Sequence, residues 1–372
     1  MVFYIHREAV SMRKKKGLWA SVTGYLRHIF VDGLSGMAMG LFATLIVGTI
    51  LAQLSTYIPG TIGYYIGACA SLAKALTGAG IGVGVAAKYK RSPLAVVSCA
   101  VAGLVGAFSS KIIAGTVLTE GAVLLAGPGE PLGAYIAALT GITVGSLVAG
   151  KTKLDILVTP SVTILSGAFA GILLGPPISG FMTWLGYLVN WSTERQPLLM
   201  GILVSVIMGM VLTLPISSAA LGLILNLSGL AAGAATVGCC ANMIGFAVAS
   251  FRENGWGGLF AQGIGTSMLQ VPNIMKKPVI WLPAIISSAV LGPVGTLVFK
   301  MTNNATGSGM GTSGLVGQLM TYQVMTESEG PGIVLLKIVL LHFVFPAIIS
   351  IAVAKLMRKR GIIKDGDMKL EI

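Results

Sequence analysis

Residues Ser228–Asn273 read SGLAAGAATVGCCANMIGFAVASFRENGWGGLFAQGIGTSMLQVPN, a run apolar enough for a bilayer that also carries Asn242, Arg252, Gln262, Thr266, Ser267, Gln270 and Asn273. Glycine and alanine fill much of the remainder. A soluble core would choose larger side chains, whereas small residues let helices approach closely in a membrane bundle. Polar groups at that depth must find partners or line a cavity. The stretch therefore reads as the wall of a solute pathway.

The whole chain agrees with that reading. Of its 372 residues 55% are hydrophobic and 10% are charged, against about 25% charged in soluble domains. The 51 glycines are nearly twice the usual share of about 7%. No secretory signal peptide is evident, because the first long apolar run is too long for one. The net charge of +13 fits basic loops that meet anionic lipid, and no motif for nucleic-acid binding accompanies it. The four cysteines, Cys69, Cys99, Cys239 and Cys240, lie in apolar runs without metal or disulfide spacing.

Spans of about 20 residues are expected over roughly 34–58, 61–87, 94–115, 131–150, 154–178, 198–222, 228–250, 256–275, 278–300 and 332–357. This makes an all-α polytopic membrane protein of about ten transmembrane helices. Residues 1–33, with Arg13-Lys14-Lys15-Lys16 and Trp19, suit an interfacial amphipathic segment on the cytoplasmic face. Residues 34–190 form a first transmembrane half and 191–357 a second; 358–372 are a cytoplasmic tail. With both termini inside, the inside segments gather the great majority of the 25 basic residues, as the positive-inside rule requires. Arg252-Glu253-Asn254 then falls on an external turn. Residues 303–326, Gly-rich and uncharged, read as a re-entrant hairpin, tolerated at membrane depth only against protein or a water-filled cavity. Parity favours letting 256–275 cross and 303–326 re-enter.

Two pairs of segments share an offset of roughly 161 positions: Gly40–Gly48 with Gly201–Gly209, and Gly80–Arg91 with Ala241–Arg252. Five spans precede the second copy, which predicts an inverted 5+5 repeat, a transporter architecture. Low-complexity similarity is the competing account.

No catalytic constellation, metal cluster or cofactor loop is present; the histidines are His6, His28 and His342. Candidate solute contacts are Glu194 and Arg195 in the polar cluster Asn190–Pro197, whose fork geometry suits vicinal hydroxyls. Asn242, Gln262, Thr266, Ser267 and Gln270 join them, since neutral amides and hydroxyls favour an uncharged, hydroxyl-rich ligand. Lys74 and His342, ionisable groups within spans, are candidates for anion or proton handling.

The run Gly238–Gly258, continued by Ala261–Asn273, resembles the membrane-embedded enzyme IIC family of the bacterial phosphotransferase system, in its perfringolysin-regulator-like subgroup. Phe30–Gly40 and Glu194–Pro197 fit the same pattern. The resemblance implies sugar translocation across the bacterial cytoplasmic membrane, coupled to phosphorylation by separate IIA and IIB subunits, and a homodimer with re-entrant hairpins. It also implies a Thr-Glu-Pro hairpin motif, which Thr193-Glu194 meets only in part because Arg195 and Gln196 precede Pro197. A membrane-bound regulator of gene expression, or a transporter of a small anion outside the phosphotransferase system, are the alternative functions.

Overall fold

Small residues set the helix contacts. The computed structural model describes residues 28–370 apart from Glu120 and Glu194, so the amphipathic segment expected over 1–33 lies almost wholly outside the described residues. The principal helices are α1 (Val31–Tyr57), α2 (Gly60–Ala75), α3 (Thr77–Lys88), α4 (Pro93–Ala107), α5 (Pro131–Val148) and α6 (Asp155–Thr193). They continue as α7 (Pro197–Thr213), α8 (Gly229–Ala249), α9 (Pro278–Val298) and α10 (Pro331–Lys359). Six of these are long and apolar enough to cross a membrane, and α2 with α3, bent by 57°, makes a seventh candidate. Leu157, Leu165, Phe169 and Leu173 on α6 are each at least 60% exposed, an arrangement that lipid, not water, tolerates.

In the first half, α1 and α3 run antiparallel, with Gly36 against Gly84 and Gly40 against Gly80. Then α4 and α5 pack antiparallel, joined by the Cys99 thiol donating to the Ala138 carbonyl at 3.4 Å. The 39 residues of α6 reach about 58 Å at 1.5 Å each, nearly twice a hydrocarbon core of about 30 Å. It lies first along α4 and α5, and then brings Leu185 and Val189 to the core of the second half, beside Met200 and Val204 of α7.

The second half departs from the expected spans. Gly201 of α7 lies against Gly292 of α9, and Gly209 against Gly238 of α8. Because Ser205 meets Gly238, and Thr213 bonds Asn242, the contact advances along both helices together: α7 and α8 are parallel. Parallel neighbours need a return connection, and 214–228 supplies it through Pro215 and the short helix Ser218–Ile224. The start of α7 meets the end of α9 through Thr296 Oγ1 donating to the Pro197 carbonyl at 3.0 Å. The start of α8 bridges to Asn303 just beyond it. The span expected over 198–222 is thus a helix and its return, not a passage to the other end.

Residues 256–275 also turn back. Gly255, at φ 57° and ψ −155°, breaks the helical run Phe251–Phe260 in a conformation only glycine adopts without strain. A π-helical turn (Ala261–Gly265), extended Thr266, a 3-10 turn (Ser267–Gln270) and the short helix Val271–Lys276 complete the excursion. Its two ends lie together. The Met368 carbonyl accepts from Asn254 Nδ2 and Gln270 Nε2, both at 2.9 Å. Arg358 pairs with Glu253 at 2.8 Å, so Arg252-Glu253-Asn254 lies at the end that carries the tail, not on an external turn opposite it. Sequence could not place this because the determining contacts are with residues about a hundred positions away.

Residues 303–326 form a second hairpin from the other end. Lys337 Nζ donates to the Phe299 carbonyl at 2.9 Å and to Glu329 at 2.7 Å, fixing the exit of the segment beside its entrance. Of the segments expected to cross, 198–222 and 256–275 are thus the two that turn back, a change that preserves parity. Accordingly His28–Gly33 packs against Val271–Lys276 at the tail end. The expected repeat is not reproduced by its motif pairs, since α1 and α3 are antiparallel where α7 and α8 are parallel. Gly40 meets Gly80, but Gly201 meets Gly292.

This topology predicts that single cysteines at Arg252 and Lys369, in a cysteine-free background, react with an impermeant maleimide from the same side of intact vesicles, and one at Lys300 from the other. Gly238→Val, which drives a side chain into the Ser205 backbone, should cost about 1–3 kcal/mol or more in a thermal-unfolding assay.

Candidate functional site

The hairpins meet tip to tip. The Thr312 hydroxyl of the second donates to the Gly263 carbonyl of the first. Gly265, next to that tip, rests on the Phe42 ring and on Ile46, which flank the π-helical turn Phe42–Ile46 of α1. Such turns interrupt α-helices chiefly at functional positions. Around this junction lies a cavity of about 80 Å³. The first half lines it with Leu45, Ile46, Thr49, Pro128 and Pro131, and the second with the 212–219 return, Met243 and both hairpins. The volume is well under the 300–1,000 Å³ of a typical small-molecule pocket.

The cavity is mostly apolar, with hydroxyls at intervals. Thr49 donates to the Leu45 carbonyl at 2.7 Å, and Ser218 to the Gly309 carbonyl at 2.6 Å. Ser313 differs: its hydroxyl is buried without a partner among the described residues. A buried hydroxyl left unpaired carries a desolvation cost of about 1–3 kcal/mol that an incoming polar group would offset. Glu130, between the cavity-lining Pro128 and Pro131, likewise buries Oε1 without a partner. It stands at the start of α5, where Gly127-Pro128-Gly129 makes the approach and the Glu130 amide donates to the Ala107 carbonyl at 2.8 Å. The sequence signal was a lone carboxylate in a Gly/Pro run directly before a span, a Glu-Pro pair elsewhere than the Thr193-Glu194 comparison.

Among the expected solute contacts, Thr266 lines the cavity, its hydroxyl accepting from the Met268 amide at 3.1 Å. The others bond within the protein. Asn242 Oδ1 accepts from Trp281 Nε1 at 2.8 Å and Thr213 at 3.3 Å, and its Nδ2 donates to Ser288 at 3.0 Å. Thr213 and Ser267 are 2.8 Å apart. Gln262 Nε2 donates to Ser250, Gln270 Nε2 to Gln262 Oε1 and Asn273 Nδ2 to Gln270 Oε1, each at 2.9 Å. These amides form a chain along the first hairpin, ending on the carbonyls of Met368 and Lys369.

Arg195 is exposed and stacks over Trp191, 4.2 Å from the ring centre, away from the cavity lining; Glu194 lies outside the described residues. Lys74 lays its stem against Gly48 of α1. His342 is buried on the π-helical turn Leu340–Val344, its Nδ1 3.2 Å from Gln318 Nε2. No group of three or more histidine, cysteine or acidic residues among those described could hold a metal ion.

Broken helices whose hairpins meet at a cavity are a feature of solute-translocating membrane proteins. The family model for the phosphotransferase system EIIC matches residues 31–370, and the chain belongs to that family. It is an integral membrane component of sugar transport, a family that works with IIA and IIB components. No curated protein matches the chain.

The amide chain makes two predictions. Gln270→Ala strands Gln262 Oε1, leaves the Asn273 amide with its Lys369 bond alone, and should lower stability by about 1–3 kcal/mol, read from the thermal midpoint. Tail docking should also weaken in acid. Burial raises the Asp367 carboxyl, but Lys277 Nζ at 2.6 Å and the Lys364 amide outweigh it, and the net direction is down. A lowered carboxylate supports docking above its ordinary range, and that support fades as pH falls through the lowered value. Protease sensitivity of residues 364–370 should rise below about pH 4, the ordinary Asp range, and Asp367→Asn should reproduce the effect at neutral pH.

Proposed function

We propose that the chain carries a sugar through the cavity at the hairpin junction, with separate IIA and IIB subunits supplying the phosphoryl group. The observation that carries this reading is the meeting of Thr312 and Gly263 beside a cavity with an unpartnered Ser313 hydroxyl. Apolar walls suit the C–H faces of a sugar ring, and a few placed hydroxyls and a carboxylate suit its edge. Glu130 supplies the carboxylate, Ser313 and Thr266 the hydroxyls. Asn242, Gln262, Ser267 and Gln270 fix the hairpin that presents them, and Arg195 lies outside the contact set.

Translocation proceeds by displacement of one helical unit against the other, the cavity opening as the hairpin tips separate. The tail end is cytoplasmic: Lys88, Arg91, Lys276, Lys277, Lys355 and Arg358 gather there, and Arg252 joins them, which sharpens the positive-inside bias. The working unit is a homodimer.

The test is phosphorylation-coupled uptake of a panel of labelled hexoses in vesicles supplied with IIA and IIB components. Glu130→Gln should lower uptake of the cognate sugar by about 10- to 100-fold, the worth of a charge-assisted hydrogen bond, with folding intact. Ser313→Leu should abolish it by filling the cavity. Uptake that survives both changes would sink the assignment, and altered transcription with no sugar flux would favour a regulator.

A further inference from the structure

A second cavity, of about 520 Å³, opens at the tail end between the end of α8, the run Phe251–Phe260 and the last turns of α10. Its walls divide by chemistry. Phe251, Trp256, Leu259 and Ile351 form an apolar side, and Arg252, Lys355 and Arg358 a cationic one. Trp256 is 68% exposed, meets Phe251 edge to face at 5.3 Å and stacks on Phe260 at 6.3 Å between centroids. Exposed aromatics beside cations at one end of a membrane bundle mark the headgroup level.

We propose that this groove is a binding site for one anionic phospholipid, its phosphodiester held by Arg252 and Lys355 and an acyl chain laid along Trp256 and Leu259. Charge complementarity supports that occupant. Arg358 is committed to Glu253 at 2.8 Å and to the Ala249 carbonyl at 3.2 Å, and it also reaches Asp365 at 3.1 Å. Arg252 touches Asp365 only at 3.7 Å, with both side chains over 70% exposed, a contact of little strength in water. Lys355 has no partner among the described residues. Three cations against Glu253 and Asp365 leave one positive charge, which one phosphodiester balances. A free phosphate would leave the apolar wall bare, and a zwitterionic headgroup would bring its own cation into a cationic site. The lipid closes over the Arg358–Glu253 pair, and thus over the base of the first hairpin.

The experiment offers purified full-length protein an equimolar mixture of dioleoylphosphatidylglycerol and dioleoylphosphatidylcholine and counts retained lipids by native mass spectrometry. Wild type should retain phosphatidylglycerol preferentially. Lys355→Gln should lose about fivefold of that preference, and Arg252→Gln with Lys355→Gln should lose about fivefold for each side chain removed. The single variant alters an exposed side chain without a partner and keeps the test valid should the double variant misfold. Equal retention of the two lipids by wild type would overturn the proposal. So would a preference indifferent to Lys355→Gln, or displacement of phosphatidylglycerol by millimolar inorganic phosphate, which would mark a phosphate site instead.

Discussion

Everything in the second half depends on satisfying backbone that leaves helical geometry at membrane depth. A hairpin that breaks at Gly255 and Thr266 frees amides and carbonyls, and each one buried away from water costs several kcal/mol if left unpaired. Gln262 Nε2 and Thr312 Oγ1 meet part of that constraint by donating to the Gly258 and Gly263 carbonyls, while Gln262, Gln270 and Asn273 tie the segment side chain to side chain and then to the tail carbonyls. The polar residues that first marked Ser228–Asn273 are thus chiefly the means by which a non-helical segment survives there. What reaches the cavity from this hairpin is Gly265, Thr266 and Met268, at its tip.

The membrane class and the helix-rich fold were legible because composition and glycine content act locally. The direction of 256–275 was not. Its apolar content matches a span, and only contacts between Asn254, Gln270 and Met368 show that it turns back. The return at 214–228 hid for a similar reason: a helix of 17 residues followed by seven more helical ones reads as one long run until the parallel packing of α7 on α8 is seen. For the site, sequence identified which residues are polar and buried but not which face inward. Asn242 looked like a ligand contact by composition, and its three bonds to Trp281, Thr213 and Ser288 are what composition cannot show. Glu130 was overlooked because it sits among glycines and prolines, in a connection instead of a span.

The two hairpins are unlike in their supports. The first is tied through amides to the tail, the second through Asn303, whose Nδ2 donates to Thr236 at 2.7 Å and Thr321 at 2.9 Å, and through the Lys337–Glu329 pair. Among the described residues they share the bond from Thr312 to Gly263, a single hydroxyl contact. Separation at the tips therefore breaks little, whereas separation at either base would break several bonds together. That asymmetry makes the junction the least bonded part of the pair.

The tail has a further consequence, for the order of assembly. Met368 and Lys369 follow every helix in the chain, yet their carbonyls accept from Asn254, Gln270 and Asn273. During synthesis the first hairpin enters the bilayer more than ninety residues before those acceptors exist. Its amides must then wait on water at the headgroup layer or on other partners, and the hairpin reaches its final depth only when the tail folds back. The support of the first hairpin is in this sense completed late, by a segment that follows all the helices it braces.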